Sequence, residues 1–187
     1  MSSEMSELTK AMASVVAPLT DQEAREAIDL ATERLAPELS DHHRVLGAEL
    51  SIDKPQHPDV LPQRLVRVLV VDYAKRRTFE AAVDVRARTL RLTDLKGVQP
   101  ACSQEEIAEA RAIAENDPRT ARFAGQQGAF VSEFGADPAP DGSRHVGLRY
   151  AVVRGGQPSA VLAHAVVDLS TRSVLDVMET SRGESGG

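Results

Sequence analysis

The 187-residue chain has no tryptophan, and aromatic residues make up only 3% of it. Stacking platforms for bases or sugars are therefore scarce, and the core has to be built from Ala, Val, Leu and Ile. A single cysteine, Cys102, excludes an intrachain disulfide and a multi-cysteine metal site, and fits a reducing compartment. Positive charge is not in excess: 22 Lys and Arg stand against 28 Asp and Glu, a net charge of −6. That is the opposite of the basic footprint of a nucleic-acid binder. No run approaches the ~18 apolar residues of a membrane span. The N-terminus lacks the basic start and long apolar stretch of a signal peptide, because Lys10 is its lone basic side chain and Ala11 to Val16 is too short. A glycine-rich phosphate loop is missing too, since the RGGQP stretch has the spacing of neither nucleotide motif and suits a hairpin turn. The expectation is a cytoplasmic protein with no nucleic-acid or membrane partner.

What is present is organised around Arg76 to Pro100. Phe79, Ala81, Val83 and Val85 share one face and Glu80, Ala82, Asp84 and Arg86 the other, the alternation of a half-buried strand, and a tight reversal follows. The stretch recurs: Ala165, Val167, Asp168, Arg172 and Val174 answer Ala81, Val83, Asp84, Arg88 and Leu90 at one constant offset. The last strand is the poor match, with Leu92 answered by Asp176.

Each copy is preceded by the same signals. Met1 to Pro18 is expected to be a flexible lead-in with at most a short helical turn. Thr20-Asp-Gln-Glu23 is a capping box, and Ala24, Ala27, Ile28, Ala31, Leu35 and Leu39 then follow helical spacing, giving a helix from about Asp21 to Glu38. Strands are expected at Val45 to Asp53, with Leu46, Ala48, Leu50 and Ile52 on one face, and at Leu65 to Tyr73, apolar enough for a central position. The KPQHPDVLPQ stretch between them is a loop, because proline cannot join a central strand. The second copy restarts with the capping box Ser103-Gln-Glu-Glu106 and the stripe Ile107, Ala110, Ile113 and Ala114. Asp117 caps a short further helix with Pro118 at its first position. Strands follow at Ala129 to Phe134, His145 to Val153, Ser159 to Leu169 and Ser173 to Met178. The reading is an α+β protein of two tandem cystatin-like modules, each a helix on a four-stranded antiparallel sheet. They span residues 19–100 and 101–179, with a disordered tail at 180–187.

Several stretches carry a resemblance. Ala82-Val83-Asp84 with its Arg/Thr turn, Gly97-Val98-Gln99-Pro100, the Glu105-Glu106 helix start, Asn116-Asp117-Pro118-Arg119 and the later AVVDLSTRSVLDVM stand in the order found in copper amine oxidases. The chain from about Leu19 to Met178 resembles the second and third, non-catalytic N-terminal domains of that family. The oxidase chemistry of the family lies in a separate catalytic domain, with an Asn-Tyr motif that yields the quinone and three copper-binding histidines. Here Tyr73 follows Asp72, Tyr150 follows Arg149, and there is no His-x-His pair. The resemblance therefore implies neither copper nor quinone nor a catalytic residue, and the expectation is a free-standing copy of the accessory domains.

The candidate sites each have a structural and a functional reading. Asp41-His42-His43 is the best metal-like cluster, but it offers fewer than the usual four donors. His164 and Asp168 share a strand face and form a candidate acid–base pair. Asp84 and Asp168 precede hairpin reversals, where an aspartate bonds nearby backbone N–H groups. Cys102 lies just before a helix start, where a thiolate is stabilised, without a visible partner. Lys75, Arg76 and Arg77, with Arg86, Arg88 and Arg91 on the same hairpin, form a basic zone on an acidic protein. That zone suits an anionic ligand or acidic peptide, or serves to keep sheet edges apart. The functional expectation is a non-catalytic accessory protein that recognises a protein or peptide partner, such as a separately encoded enzyme, or pairs with itself. Strand addition to an exposed sheet edge is one route. The alternative is a small isomerase, dehydratase or cyclase, or a carrier, with an enclosed pocket between helix and sheet.

Overall fold

The computed structural model describes residues 13–53, 62–124, 126, 129–136, 139–154 and 157–180. The chain divides into two compact units, Met1–Lys96 and Gly97–Gly187. Each holds one four-stranded antiparallel sheet whose strands follow in chain order, so the fold is α+β.

In the first unit helix α1 (Asp21–Leu35) is followed by strands β1 (His43–Asp53), β2 (Gln63–Asp72), β3 (Arg77–Asp84) and β4 (Thr89–Asp94). The capping box forms as its residue types require. The Thr20 hydroxyl accepts the Glu23 N–H, and the Glu23 carboxylate accepts the Thr20 N–H. Ala27, Ala31 and Leu35 of α1 close onto Val66, Val68 and Val70 of β2 and Phe79, Ala81 and Val83 of β3. With alanine on the helix, the valines of the sheet approach closely and the interior is filled. β2 is central, as its apolar run requires. On β1 the expected face is shifted: a bulge between Val45 and Gly47 brings Val45, instead of Leu46, against the core beside Ala48. The extra residue resets the period-2 alternation.

The lead-in is only partly as expected. Residues 1–12 lie outside the described residues, but residues 13–16 are helical and the following segment is held to the sheet. Arg64 donates to the carbonyls of Val15, Ala17 and Pro18, and Arg86 to the Ser14 hydroxyl. Of the expected loop, Lys54 to Gln63, residues 54–61 lie outside the described residues, as does the tail at 181–187; Gln63 already belongs to β2. Thr180, assigned to that tail from the sequence, bonds back to Leu162 O.

In the second unit α2 (Gln104–Glu115) and α3 (Pro118–Ala124) precede β5 (Ala129–Phe134), β6 (His145–Arg154), β7 (Gln157–Asp168) and β8 (Ser173–Glu179). Ser103 and Glu106 form the second capping box. Asp117 accepts the Arg119 N–H at the start of α3. Ile107, Ala110, Ala114 and Phe123 are buried, as are Val146, Leu148 and Tyr150 of β6 and Ala163, Ala165 and Val167 of β7.

The poor match of the last strand has a structural cause. Leu90 pairs with Val83, and Val174 with Val167, which keeps the repeat in step. A bulge between Val166 and Val167 then inserts one residue, so Ala165 faces Val177 where Ala81 faces Leu92. Val177, not Asp176, is the counterpart of Leu92.

Three hairpins share one construction. Asp72, Asp84 and Asp168 each end a strand, and the residue four positions on, Arg76, Arg88 and Arg172, has φ of 54°, 52° and 54°. Each aspartate accepts a backbone N–H of its own turn: Lys75, Ala87 and Ser170. The left-handed position is one that glycine normally fills.

Candidate functional site

The six basic residues singled out from the sequence do not form one zone. Lys75, Arg76 and Arg77 lie at the β2–β3 turn, while Arg86, Arg88 and Arg91 lie at the β3–β4 hairpin. The two turns are at opposite ends of the eight residues of β3, about 25 Å apart at strand rise. Two of the first group are already engaged. The Lys75 ammonium donates to Glu38 O, and Arg77 pairs with Asp94 at 3.0 Å and Glu38 at 3.3 Å while lying over the Phe79 ring. The second group is more open. Arg88 and Arg91 are exposed without a carboxylate partner among the described residues, and Arg86 donates to Ser14.

The repeated aspartates serve their turns. Asp84 accepts the Ala87 N–H at 2.9 Å and Gln63 Nε2 at 3.0 Å. These donors, the Ala87 N–H foremost, hold its carboxyl below the usual carboxylate range. Asp168 is buried and spends both oxygens on the Ser170 N–H and the Thr171 hydroxyl. His164 stands four residues away on the same strand, about 13 Å at strand rise, and its ring meets Phe134 edge-on. Asp84 edges an open recess of about 190 Å³ on the outward face of the first sheet, beside Asp53, Gln63, Ala82 and Arg91.

Asp41-His42-His43 is not assembled for a metal. His42 stacks on Tyr73 at 4.8 Å, His43 Nδ1 lies 2.6 Å from Ser40 O, and no group of three candidate ligands occurs among the described residues. At Cys102 burial pushes the thiol up, against the partial opposing pull of Arg144. The helix start does not yield a thiolate there.

Sequence reasoning missed the feature that dominates the polar interior. Each capping-box glutamate is gripped by an arginine at the start of the second strand of its own sheet. In the first unit Arg64 holds Glu23 through Nε at 3.1 Å and Nη2 at 3.0 Å, and takes three carbonyls of the preceding segment. In the second unit Arg144 holds Glu106 through Nε and Nη2, both at 2.8 Å, and takes the carbonyls of Pro100 and Ala101. The grip of Arg64, followed by the Thr20 N–H, brings the Glu23 carboxyl from 4.5 down to about 2. Asp72 was also missed. Its burial, which alone would raise its pKa, is outweighed by the N–H groups of Lys75 and Ser40 and the Ser40 hydroxyl, and its carboxyl lies below the usual value. The available signal was the pairing of a capping box with an arginine opening the second strand, once in each repeat.

The fold has a counterpart among solved structures. A copper-containing benzylamine oxidase from Hansenula polymorpha superposes with a TM-score of 0.62 over 88% of this chain, at 14% identity. At that identity the likeness establishes the fold. This chain spans 30% of the oxidase's length. No protein-family model matches the sequence, and no curated protein matches it. No helix among the described residues is long and apolar enough to cross a membrane.

Proposed function

We propose that the chain is a non-catalytic binding module that recognises an acidic stretch of a protein partner, a separately encoded enzyme being one candidate. The observation that carries this reading is the open cationic end of the first sheet. There Arg88 and Arg91 are exposed with no carboxylate ion pair among the described residues, while Arg86 donates to Ser14 and lies near the Asp84 carboxylate. Guanidinium groups in that state favour planar, charge-assisted pairing with carboxylates. Lys75 and Arg77 belong to the proposed surface less directly, because their charges are already met within the unit. Arg76 stands with them at the far turn.

The enzyme or carrier alternative requires ionisable groups inside a chamber between helix and sheet. In the first unit that space is filled by Ala27, Ala31, Leu35, Val68, Val70, Ala81 and Val83, all without exposure, and in the second the buried Glu106 and Arg144 are paired with each other. His164 and Asp168 lie on the face turned away from the helices. The fold likeness supports an accessory role, and the oxidase activity of the similar protein is not carried over.

The test is capture from the native cell, with bound proteins quantified by mass spectrometry. A partner retained by the wild type and lost with Arg86→Glu, Arg88→Glu and Arg91→Glu together supports the reading. Identical retention by the folded triple variant contradicts it.

A further inference from the structure

The two sheets differ at the middle of their outward faces. On β2, Arg67 stands between two carboxylates, with Nε 2.8 Å from Glu49 of β1 and 3.6 Å from Glu80 of β3. On β6 the register puts Gly147 where Arg67 stands, because Val146 faces Val167 as Val66 faces Val83. The outward cation of this strand is Arg149, in the place of Leu69, and its cross-strand neighbours are Ser132 and His164. Its one hydrogen bond among the described residues is Nε to Ser132 Oγ at 3.3 Å, and no carboxylate is paired with it. The side chain is exposed.

Beyond Ser132 and His164 the face around Arg149 carries several apolar side chains, with Asp176 opposite Val166 on β8. The Phe134 ring lies across Gly147, where an added Cβ would meet it at 2.6 Å, and stands at 84° to the His164 ring 5.4 Å away. Phe130 on β5 is 38% exposed, and Met178 and Leu175 on β8 are 55% and 47% exposed. The register places Phe130, Phe134, His164 and Met178 on the face away from the helices, because the alternate residues Tyr150, Ala163 and Ala165 are buried. An uncompensated guanidinium among exposed apolar side chains has the make-up of an interaction centre.

We propose that this face receives an extended acidic–apolar segment of a partner protein. An Asp or Glu carboxylate is taken by Arg149 beside His164, and the flanking apolar side chains rest on Phe134, Phe130 and Met178. Charge complementarity selects this occupant. The net charge of −6 does not oppose it, since screening at physiological salt acts over about 8 Å and leaves the local cation in control. The surface lies on the second unit. It rests on the reading of the chain as a binding module but not on the arginines of the β3–β4 hairpin.

The experiment is fluorescence anisotropy of a labelled peptide of alternating leucine and glutamate, titrated with the full chain. The expected result is saturable binding that weakens about tenfold or more with Arg149→Glu, the equivalent of one lost charged contact. Arg149→Lys, which keeps charge but not the planar fork, is expected to fall between. Arg67→Ala is expected to bind as the wild type does, and a glutamine-for-glutamate peptide to bind weakly. Circular dichroism verifies that the variants are folded. Absence of saturable binding overturns the proposal, as does equal binding by Arg149→Glu or by the glutamine peptide. Loss of peptide binding in the triple Arg86, Arg88, Arg91 variant but not in Arg149→Glu overturns this site while leaving the proposed function standing. Peptide binding that survives the triple variant and fails in Arg149→Glu supports this site alone.

Discussion

The first and second units fasten their helices in the same way but treat that fastening differently. In the first, the Arg64–Glu23 pair keeps 9% and 27% of its side-chain exposure; in the second, Arg144–Glu106 keeps 3% and none. Both arginines also tie down the chain that leads into the helix. The outward faces diverge further: Arg67 is flanked by Glu49 and Glu80, and Arg149 has no carboxylate partner among the described residues. What the two units share is scaffold: capping box, clamp and Asp-to-Arg hairpin. Where they differ is at the surface, and that is where recognition is to be sought.

The largest expected effect breaks the buried clamp. Glu106→Ala leaves the Arg144 guanidinium buried without its counter-ion, and a loss of about 3–5 kcal/mol is expected in chemical denaturation. Glu23→Ala removes the more exposed copy and is expected to cost less, about 1.5–3 kcal/mol, as for a hydrogen bond to a charged group. Hydrogen exchange on the full chain assigns each loss to α2 or α1. Equal losses would end the distinction between the two clamps.

Acid sharpens the same comparison. Glu23 has a folded-state pKa of about 2 against 4.5 for the ordinary carboxyl. Its contribution is complete above about pH 4.5 and is lost as pH falls through about 2. Glu23→Gln is therefore expected to be less stable than the wild type at neutral pH, and the gap to close as acid is added. Melting curves across that window check it.

A smaller effect separates the hairpins. Arg88→Gly relieves a left-handed residue that is exposed and without a carboxylate partner. It is expected to stabilise the chain by about 0.5–1 kcal/mol. Arg172→Gly relieves the same strain but forfeits the 2.7 Å pair with Glu109, so its gain is expected to be smaller. Thermal denaturation of both variants measures the difference.

Much of the fold was legible because local signals agreed. The two capping boxes fixed the starts of α1 and α2, the unbroken apolar run of β2 marked a central strand, and the alternation of β3 separated core from surface. The bulges of β1 and β8 were not legible, since one extra residue in either strand leaves the composition unchanged and shifts only the register. Arg64 and Arg144 escaped for another reason. Each stands far in sequence from the glutamate it holds, and a charged residue near a strand start ordinarily signals solvent. The candidate site was legible by residue type but not by place. Lys75 to Arg77 and Arg86 to Arg91 are neighbours in the sequence, and the length of β3 sends them to opposite ends of the sheet.

The most direct measurement transplants the charge pattern of the first sheet onto the second. Ser132→Glu with His164→Glu surrounds Arg149 with carboxylates, as Glu49 and Glu80 surround Arg67. If the shared features are scaffold and the differing face is the binding surface, the double variant should melt as the wild type does and lose the acidic–apolar peptide. Undiminished peptide binding by the folded double variant would contradict the account.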